Sequence, residues 1–177
     1  PEGARALLAE AGYPDGVTVE LSTQHARAEP AMAQSLKETA AAGGFNINLN
    51  ILPSAQYWDI WTEVPFGITI WAHRPLGIIV PALAFSAEAD GTPAAWNETR
   101  WVDEEYLTLL RQAESTLDVE ARRAIACKME DIEAERGACA IPFFTNVWYV
   151  CHERFQGIRA HPTKYELFDE VWNETAG

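Results

Sequence analysis

An α/β domain, with a mixed β-sheet flanked by helices, is the fold class this sequence predicts, and three observations carry it. Val17, Val19 and Leu21 alternate with Thr18, Glu20 and Ser22. Phe45, Ile47, Leu49 and Ile51 alternate in the same way with Asn46, Asn48 and Asn50. A period of two marks a half-buried strand. Between these stretches Pro30 to about Ala42 reads as a helix ended by Gly43-Gly44. Strand, helix and strand with short connections form a βαβ unit, so the strands are expected to be parallel with a right-handed crossover.

The remaining elements follow in order. Ala4, Leu7, Leu8 and Ala11 recur at helical spacing over residues 2 to 11, and Gly12 is placed to end that helix. Tyr13-Pro14-Asp15-Gly16 is a turn. Pro30 suits the start of the next helix, where a missing N–H costs nothing, and the three asparagines suggest a wet face on the second strand. Tyr57, Ile60, Trp61 and Val64 mark a short helix. Phe66 to Trp71 is β-branched and aromatic, and reads as a buried central strand ending in a polar, aromatic cluster.

Beyond it, Pro75 to Ser86 is almost wholly apolar, hence a buried helix or loop-helix, and Glu88 to Thr99 is loop by composition. Asp103 is placed to cap a helix that turns Tyr106, Leu107, Leu110 and Ala113 inward. Asp118 is placed to cap another, from Val119 to Arg136, closed by Gly137. Ala140 to Phe144 and Val147 to Cys151 are strand candidates, and Tyr165 to Val171 suits a strand or short helix. There is no internal repeat and no low-complexity segment.

The chain has 177 residues, the size of one ordinary domain, and a net charge of −13. That charge argues against nucleic acid or an anionic membrane as partner, and no apolar run approaches a membrane span. Cys127, Cys139 and Cys151 are an odd number without CxxC spacing, which speaks against zinc. Cys127 is expected as a small core residue. Cys139 and Cys151 flank the two strand candidates and would pair only with Cα atoms within about 7 Å. The first residue is Pro1, with no signal peptide before the first helix; the chain is expected to be a processed product or part of something longer.

Catalytic patterns are missing from the sequence. GxSxG, HExxH, P-loop and GxGxxG are absent. Cys151-His152 are neighbours that a strand would point to opposite faces. His25, His73, His152 and His161 lack metal-ligand spacing, and Asp59 with Glu63 or Glu104 with Glu105 read as solvated helix faces. No cofactor, metal or catalytic residue is therefore expected. Binding is better supported. Trp71 and Trp96 offer flat apolar walls, Arg74 a planar fork for a carboxylate or phosphate, and His73 a donor or acceptor near neutral pH. The plainer readings make Trp71 core, His73 and Arg74 a solvated turn, and Arg74 the partner of a nearby acid. Asn97 either bonds a ligand or fixes its own loop.

Several stretches together carry a family likeness. PEGARALLAEAGYPDG (residues 1–16), the helix and strand from Ala33 to Pro53 leading into ILPSAQYW, WNETRWVDEEYLTLL (residues 96–110), ERGACAIPFF and the tail from Phe155 to Trp172 occur in the order found in one family. In this the chain resembles the dipeptide/oligopeptide (family 5) group of periplasmic solute-binding proteins of ABC importers. The resemblance implies the carboxy-terminal lobe of a type II periplasmic binding protein, with residues 1–154 as the ligand-binding lobe and 155–177 as a return segment towards a missing amino-terminal lobe. It also implies a small solute held between lobes, an inner-membrane ABC permease as partner, a periplasmic location and no catalysis. An isolated piece is expected to self-associate through the surface the other lobe would cover.

One departure concerns the ligand. Peptide-binding members of the family usually carry an Asp just after the Trp of the strand, where this chain has His73 followed by Arg74. A cation-binding acid is thus exchanged for groups that prefer anions or neutral acceptors. The ligand, whether peptide-like, opine-like or sugar-like, is expected not to be a simple peptide with a free amino terminus. It is expected to carry a carboxylate or similar oxygen group near Arg74 and an apolar or sugar-like face against Trp71 or Trp96. Alternatives from other classes are a hydrolase or transferase on the same scaffold, and a ligand sensor without transport.

Overall fold

The structure, a computed structural model, describes residues 1–161 and 163–174. It divides into two compact units, Pro1–Ile70 and Trp71–Gly177. Of the expected return segment, residues 162 and 175–177 lie outside the described residues.

In the first unit α1 (Glu2–Glu10) leads through a turn into β1 (Val17–Gln24), followed by α2 (Glu29–Ala41), β2 (Phe45–Leu52), α3 (Ser54–Ile60) and β3 (Gly67–Ile68). β1 and β2 pair in parallel over their whole length, from Val17 opposite Phe45 to Gln24 opposite Leu52. The predicted βαβ unit is therefore present. Its core is one cluster, Leu21, Ala33, Ile47 and Ile68, in which the inward residues of the strands meet the face of α2. Complete burial of Leu21 is worth about 2 kcal/mol by area. Asn46 and Asn48 are exposed, while Asn50 donates to Ser22 Oγ at 3.2 Å from the neighbouring strand.

The strand order is β2-β1-β3, so β1 lies in the middle and the Phe66–Trp71 stretch does not. Only Gly67 and Ile68 of that stretch pair, opposite Ser22 and Thr23. The ladder stops because β1 itself ends at Gln24 and because the Ile68 carbonyl is taken by side chains. It accepts from Thr23 Oγ1 at 2.9 Å and from the buried Tyr57 hydroxyl at 3.1 Å.

The second unit holds α4 (Ile79–Ala84), α5 (Glu104–Ser115), α6 (Val119–Arg136), β4 (Phe155–Gln156) and β5 (Trp172–Asn173). Both capping aspartates act as expected: Asp103 accepts the N–H of Tyr106 and Asp118 that of Ala121. Tyr106, Leu110 and Ala113 of α5 meet Met129 and Ile132 of α6, with Ala84 and Phe85, in the core of this unit. Phe85, Trp101 and Tyr106 form an edge-to-face triangle with ring centroids 5.1–5.9 Å apart.

Three expectations need correction here. Residues 140–144 and 147–151 form no strand. No other strand among the described residues pairs with them, and Ile141, Phe144, Trp148 and Val150 remain exposed. Cys127 is exposed, not core: at 100° per residue it points away from the side of α6 that carries Met129 and Ile132. Residues 165–171 are irregular, and the chain pairs only at β5, antiparallel to β4. All three cysteines are free thiols.

Candidate ligand-binding site

The loop between α4 and α5 is fixed by hydrogen bonds rather than by regular structure. A turn closes first, in which Asp90 Oδ1 accepts from the N–H and hydroxyl of Thr92 at 3.0 and 2.7 Å, the Asx-type contact that short polar side chains favour. The chain then folds around Asn97, which is 2 % exposed. Its amide nitrogen donates to the carbonyls of Ser86 (3.1 Å) and Trp101 (2.8 Å), and its oxygen accepts from Thr99 Oγ1 (2.9 Å). Thr99 Oγ1 accepts in turn from Trp101 N. Arg100 adopts φ +56, an uncommon conformation for a residue with a side chain. Of the two roles considered for Asn97, this geometry shows the loop-fixing one.

That frame carries Trp96 outward, 48 % exposed. Trp71 is half-buried against the α4–α5–α6 core. The two indoles meet edge-to-face with centroids 6.1 Å apart. Trp71 Nε1 donates to Glu98 Oε1 at 2.7 Å, a charge-assisted bond to the carboxylate. The structure therefore joins Trp71 and Trp96, which lie 25 positions apart in the chain, and adds Glu98 to them.

His73 is exposed and Arg74 half-buried. Neither makes a side-chain hydrogen bond or ion pair among the described residues, so the acid partner considered for Arg74 is not found there.

The electrostatics on this side of the unit are acidic. Burial, with Glu130 beside it, pushes the Glu133 carboxyl up. Loss of solvent, then Glu133 and Glu98, push the Cys139 thiol up to about 11 although the residue stands in exposed coil. Burial raises the Tyr106 hydroxyl too, helped by Glu133. Sequence reasoning missed Glu98 because a Glu in a polar loop of an acidic chain looks like any solvated carboxylate. Its one distinguishing signal is its place two residues after an exposed Trp.

No protein-family model matches the chain, and no curated protein matches it. Solved structures do. HbpA2 from Haemophilus parasuis superposes on 97 % of the chain with a TM-score of 0.78 and 27 % identity, using 35 % of its own length. A dipeptide-binding protein from Pseudoalteromonas, in complex with Met-Leu, covers 98 % of the chain and 35 % of itself at TM-score 0.72 and 16 % identity. DppA from Helicobacter pylori, an ABC transporter-associated periplasmic binding protein bound to the peptide STSA, covers 75 % and 26 % at TM-score 0.64 and 21 % identity. These solved structures are family 5 periplasmic peptide-, oligopeptide- and opine-binding proteins, and the chain is similar to them in fold. It spans about a third of the length of the first two of these solved relatives, and its mixed α/β architecture matches a lobe of the type II fold.

Other features of the chain offer less chemistry. A shallow hollow of about 210 Å³ lies among Tyr149, Ile158, Arg159 and Phe168. Glu166 also lines it, beside Val150 and Leu167. Cys151 Sγ lies 4.0 Å from the Phe155 carbonyl, and His152 Nδ1 accepts from Arg154 N; thiol and imidazole do not bond to each other. Among the described residues no three His, Cys, Asp or Glu side chains are grouped to hold a metal ion. No helix of the described residues is long and apolar enough to cross a membrane.

Proposed function

We propose that this chain is the carboxy-terminal, ligand-binding lobe of an extracytoplasmic substrate-binding component of an ABC importer. In this reading it works in the periplasm, captures a small solute and hands it to an inner-membrane permease without chemical change. The observation that carries it is the Trp71–Trp96 pair, one indole half-buried and one exposed, on a loop fixed by Asn97 within a family 5 fold. A preset aromatic wall lowers the ordering cost of binding. Trp71 and Trp96 face the apolar or sugar-like part of the solute, Arg74 its carboxylate, and His73 a neutral polar group. Asn97 holds the wall in place. Residues 1–154 supply the lobe and 155–177 return towards the rest of a longer protein.

The test is mass spectrometry of the small molecule released by denaturing the purified protein. A carboxylated peptide-like, opine-like or sugar-like solute, whose affinity falls on Arg74→Ala, is the expected result. Affinity that survives both Arg74→Ala and Trp96→Ala overturns the assignment of the site. The isolated chain should also self-associate through the exposed Ile141, Phe144, Trp148 and Val150, which sedimentation at increasing concentration would detect.

A further inference from the structure

β2 is the edge strand of the three-stranded sheet, paired with β1 on one side only. Val17 N donates to the Gly44 carbonyl at 2.9 Å and His25 N to the Leu52 carbonyl at 2.6 Å. Successive residues of a strand turn their N–H and C=O groups to alternate sides. The even-numbered residues of β2 therefore face β1, and Phe45, Ile47, Leu49 and Ile51 present their backbone groups outward. Among the described residues none of these outward groups has a hydrogen-bond partner. We propose that this free edge is a dimer interface, on which a second copy of the chain adds its own β2 antiparallel. The inference stands apart from the ligand-binding reading and needs neither the tryptophan wall nor Arg74.

Three observations support it. First, the edge carries none of the devices that keep sheet edges apart. Between Phe45 and Leu52 there is no charged residue, Pro, Gly or bulge, and eight residues is long for a strand. An uncharged, strand-forming run of this kind is a template for another strand. Second, the strand is complementary to itself. With Asn48 on the two-fold axis, Asn46 lies opposite Asn50, Ile47 opposite Leu49 and Phe45 opposite Ile51. Amides then meet amides on one face and apolar side chains meet apolar ones on the α2 face, pairings that stabilise antiparallel strands. Such a contact is isologous and closes at two copies. Third, Asn48 is free where its neighbours are not. Asn46 donates to Thr18 Oγ1 and Asn50 to Ser22 Oγ, both at 3.2 Å and both back to β1. The exposed Asn48 amide makes no hydrogen bond among the described residues, and in this register it meets the same amide of the second copy.

The test runs on the whole 177-residue chain, as it stands and with Phe144→Ser and Trp148→Ser. Those two side chains belong to residues 89 % and 81 % exposed, and their loss removes the apolar stretch already expected to self-associate. Sedimentation equilibrium should show a monomer–dimer step in both proteins. Residue-resolved amide exchange should find Leu49 and Ile51 protected in the dimer and open on dilution. The Asn48 and Asn50 amides, which face β1, should stay protected throughout and so report that the fold is intact. Asn48→Lys sets like charges opposite each other on the axis and should raise the dimer Kd about tenfold. Gln112→Lys, which adds the same charge at an exposed position of α5, should leave it unchanged. Added salt should tighten the dimer, because each copy carries a net charge of −13.

A monomer at every concentration, a dimer whose Leu49 and Ile51 amides exchange freely, or a dimer indifferent to Asn48→Lys each overturns the proposal. Dimerisation lost with Phe144→Ser and Trp148→Ser does the same, and assigns self-association to residues 140–151. Protection of Leu49 and Ile51 without a dimer would mean another occupant of the edge and also overturns it.

Discussion

Arg136, the last residue of α6, closes onto Asp103, the residue that caps α5. Its Nε donates to Asp103 Oδ2 at 2.6 Å and its Nη2 to Oδ1 at 3.3 Å, while the same carboxylate caps Tyr106 N at 2.9 Å. Arg136 also reaches Glu105 at 2.7 Å. The Arg136 guanidinium first, then the Tyr106 N–H, hold the Asp103 carboxyl below the usual carboxylate range. A depressed carboxyl contributes stability that is present above its unfolded value and is lost as pH falls through its folded value. The chain should therefore lose thermal stability as acid is added below about pH 4. Asp103→Asn keeps an adequate cap and removes the charge, so it should flatten that acid limb. Asp103→Ala also removes the cap and should cost about 1 kcal/mol further at neutral pH. Melting curves from pH 7 to pH 2.5 decide it; identical acid limbs in wild type and Asp103→Asn would count against the linkage.

Gly12 and Gly16 flank the first turn with φ of +92 and +90, but only one of them is crowded. A Cβ at Gly12 meets open space, whereas one at Gly16 runs into the backbone carbonyl of Gly44. That carbonyl accepts Val17 N at 2.9 Å at the start of the β1–β2 ladder. Gly12→Ala should cost the conformational strain alone, about 1 kcal/mol. Gly16→Ala should cost about 3 kcal/mol, since a laddered backbone cannot step aside. Urea midpoints of the two variants test the ranking; equal losses would show that the carbonyl gives way.

What was legible in the sequence follows from where the information lies. The β1–α2–β2 unit and the aspartate caps of α5 and α6 depend on short-range pattern and local hydrogen bonds, and the chain shows them directly. The 140–151 stretch has strand-like composition, but a strand also needs a neighbouring ladder, which local pattern does not report. Cys127 was misplaced because its burial turns on which side of α6 meets α5. Trp71 and Trp96 were each legible as apolar walls, while their edge-to-face contact was not. Glu98 was invisible because its role depends on a contact between residues 27 positions apart.

The three free cysteines should differ in reactivity. The Cys139 thiol, pushed up to about 11 by loss of solvent and by Glu133 and Glu98, carries less thiolate at pH 8 than an ordinary thiol. Its lower thiolate fraction is partly offset by higher intrinsic nucleophilicity, leaving a net slowing of about tenfold. Alkylation with iodoacetamide followed by peptide mapping should find Cys139 modified last of the three. Glu133→Gln should speed it selectively. Equal rates at all three thiols would contradict the electrostatic account.

Asn97 offers the sharpest test of the loop, because its two obvious variants separate hydrogen bonding from shape. Asn97→Ala leaves the Trp101 carbonyl without the Asn97 donor, the Ser86 carbonyl with Ala94 N as its remaining donor, and the Thr99 hydroxyl without its acceptor. The expected loss is about 2–4 kcal/mol. Asn97→Asp is nearly the same size and still accepts from Thr99, but it turns a carboxylate oxygen towards those two carbonyls. Repulsion in a buried setting should make it at least as damaging as the alanine, so the conservative variant does not rescue. Both should also free Trp96 from its fixed place beside Trp71, and the Trp71 indole N–H resonance should move towards the position of an indole that has lost its bond to Glu98. If Asn97→Asp instead keeps wild-type stability and the Trp71 resonance does not move, the wall is held by something other than the Asn97 donors.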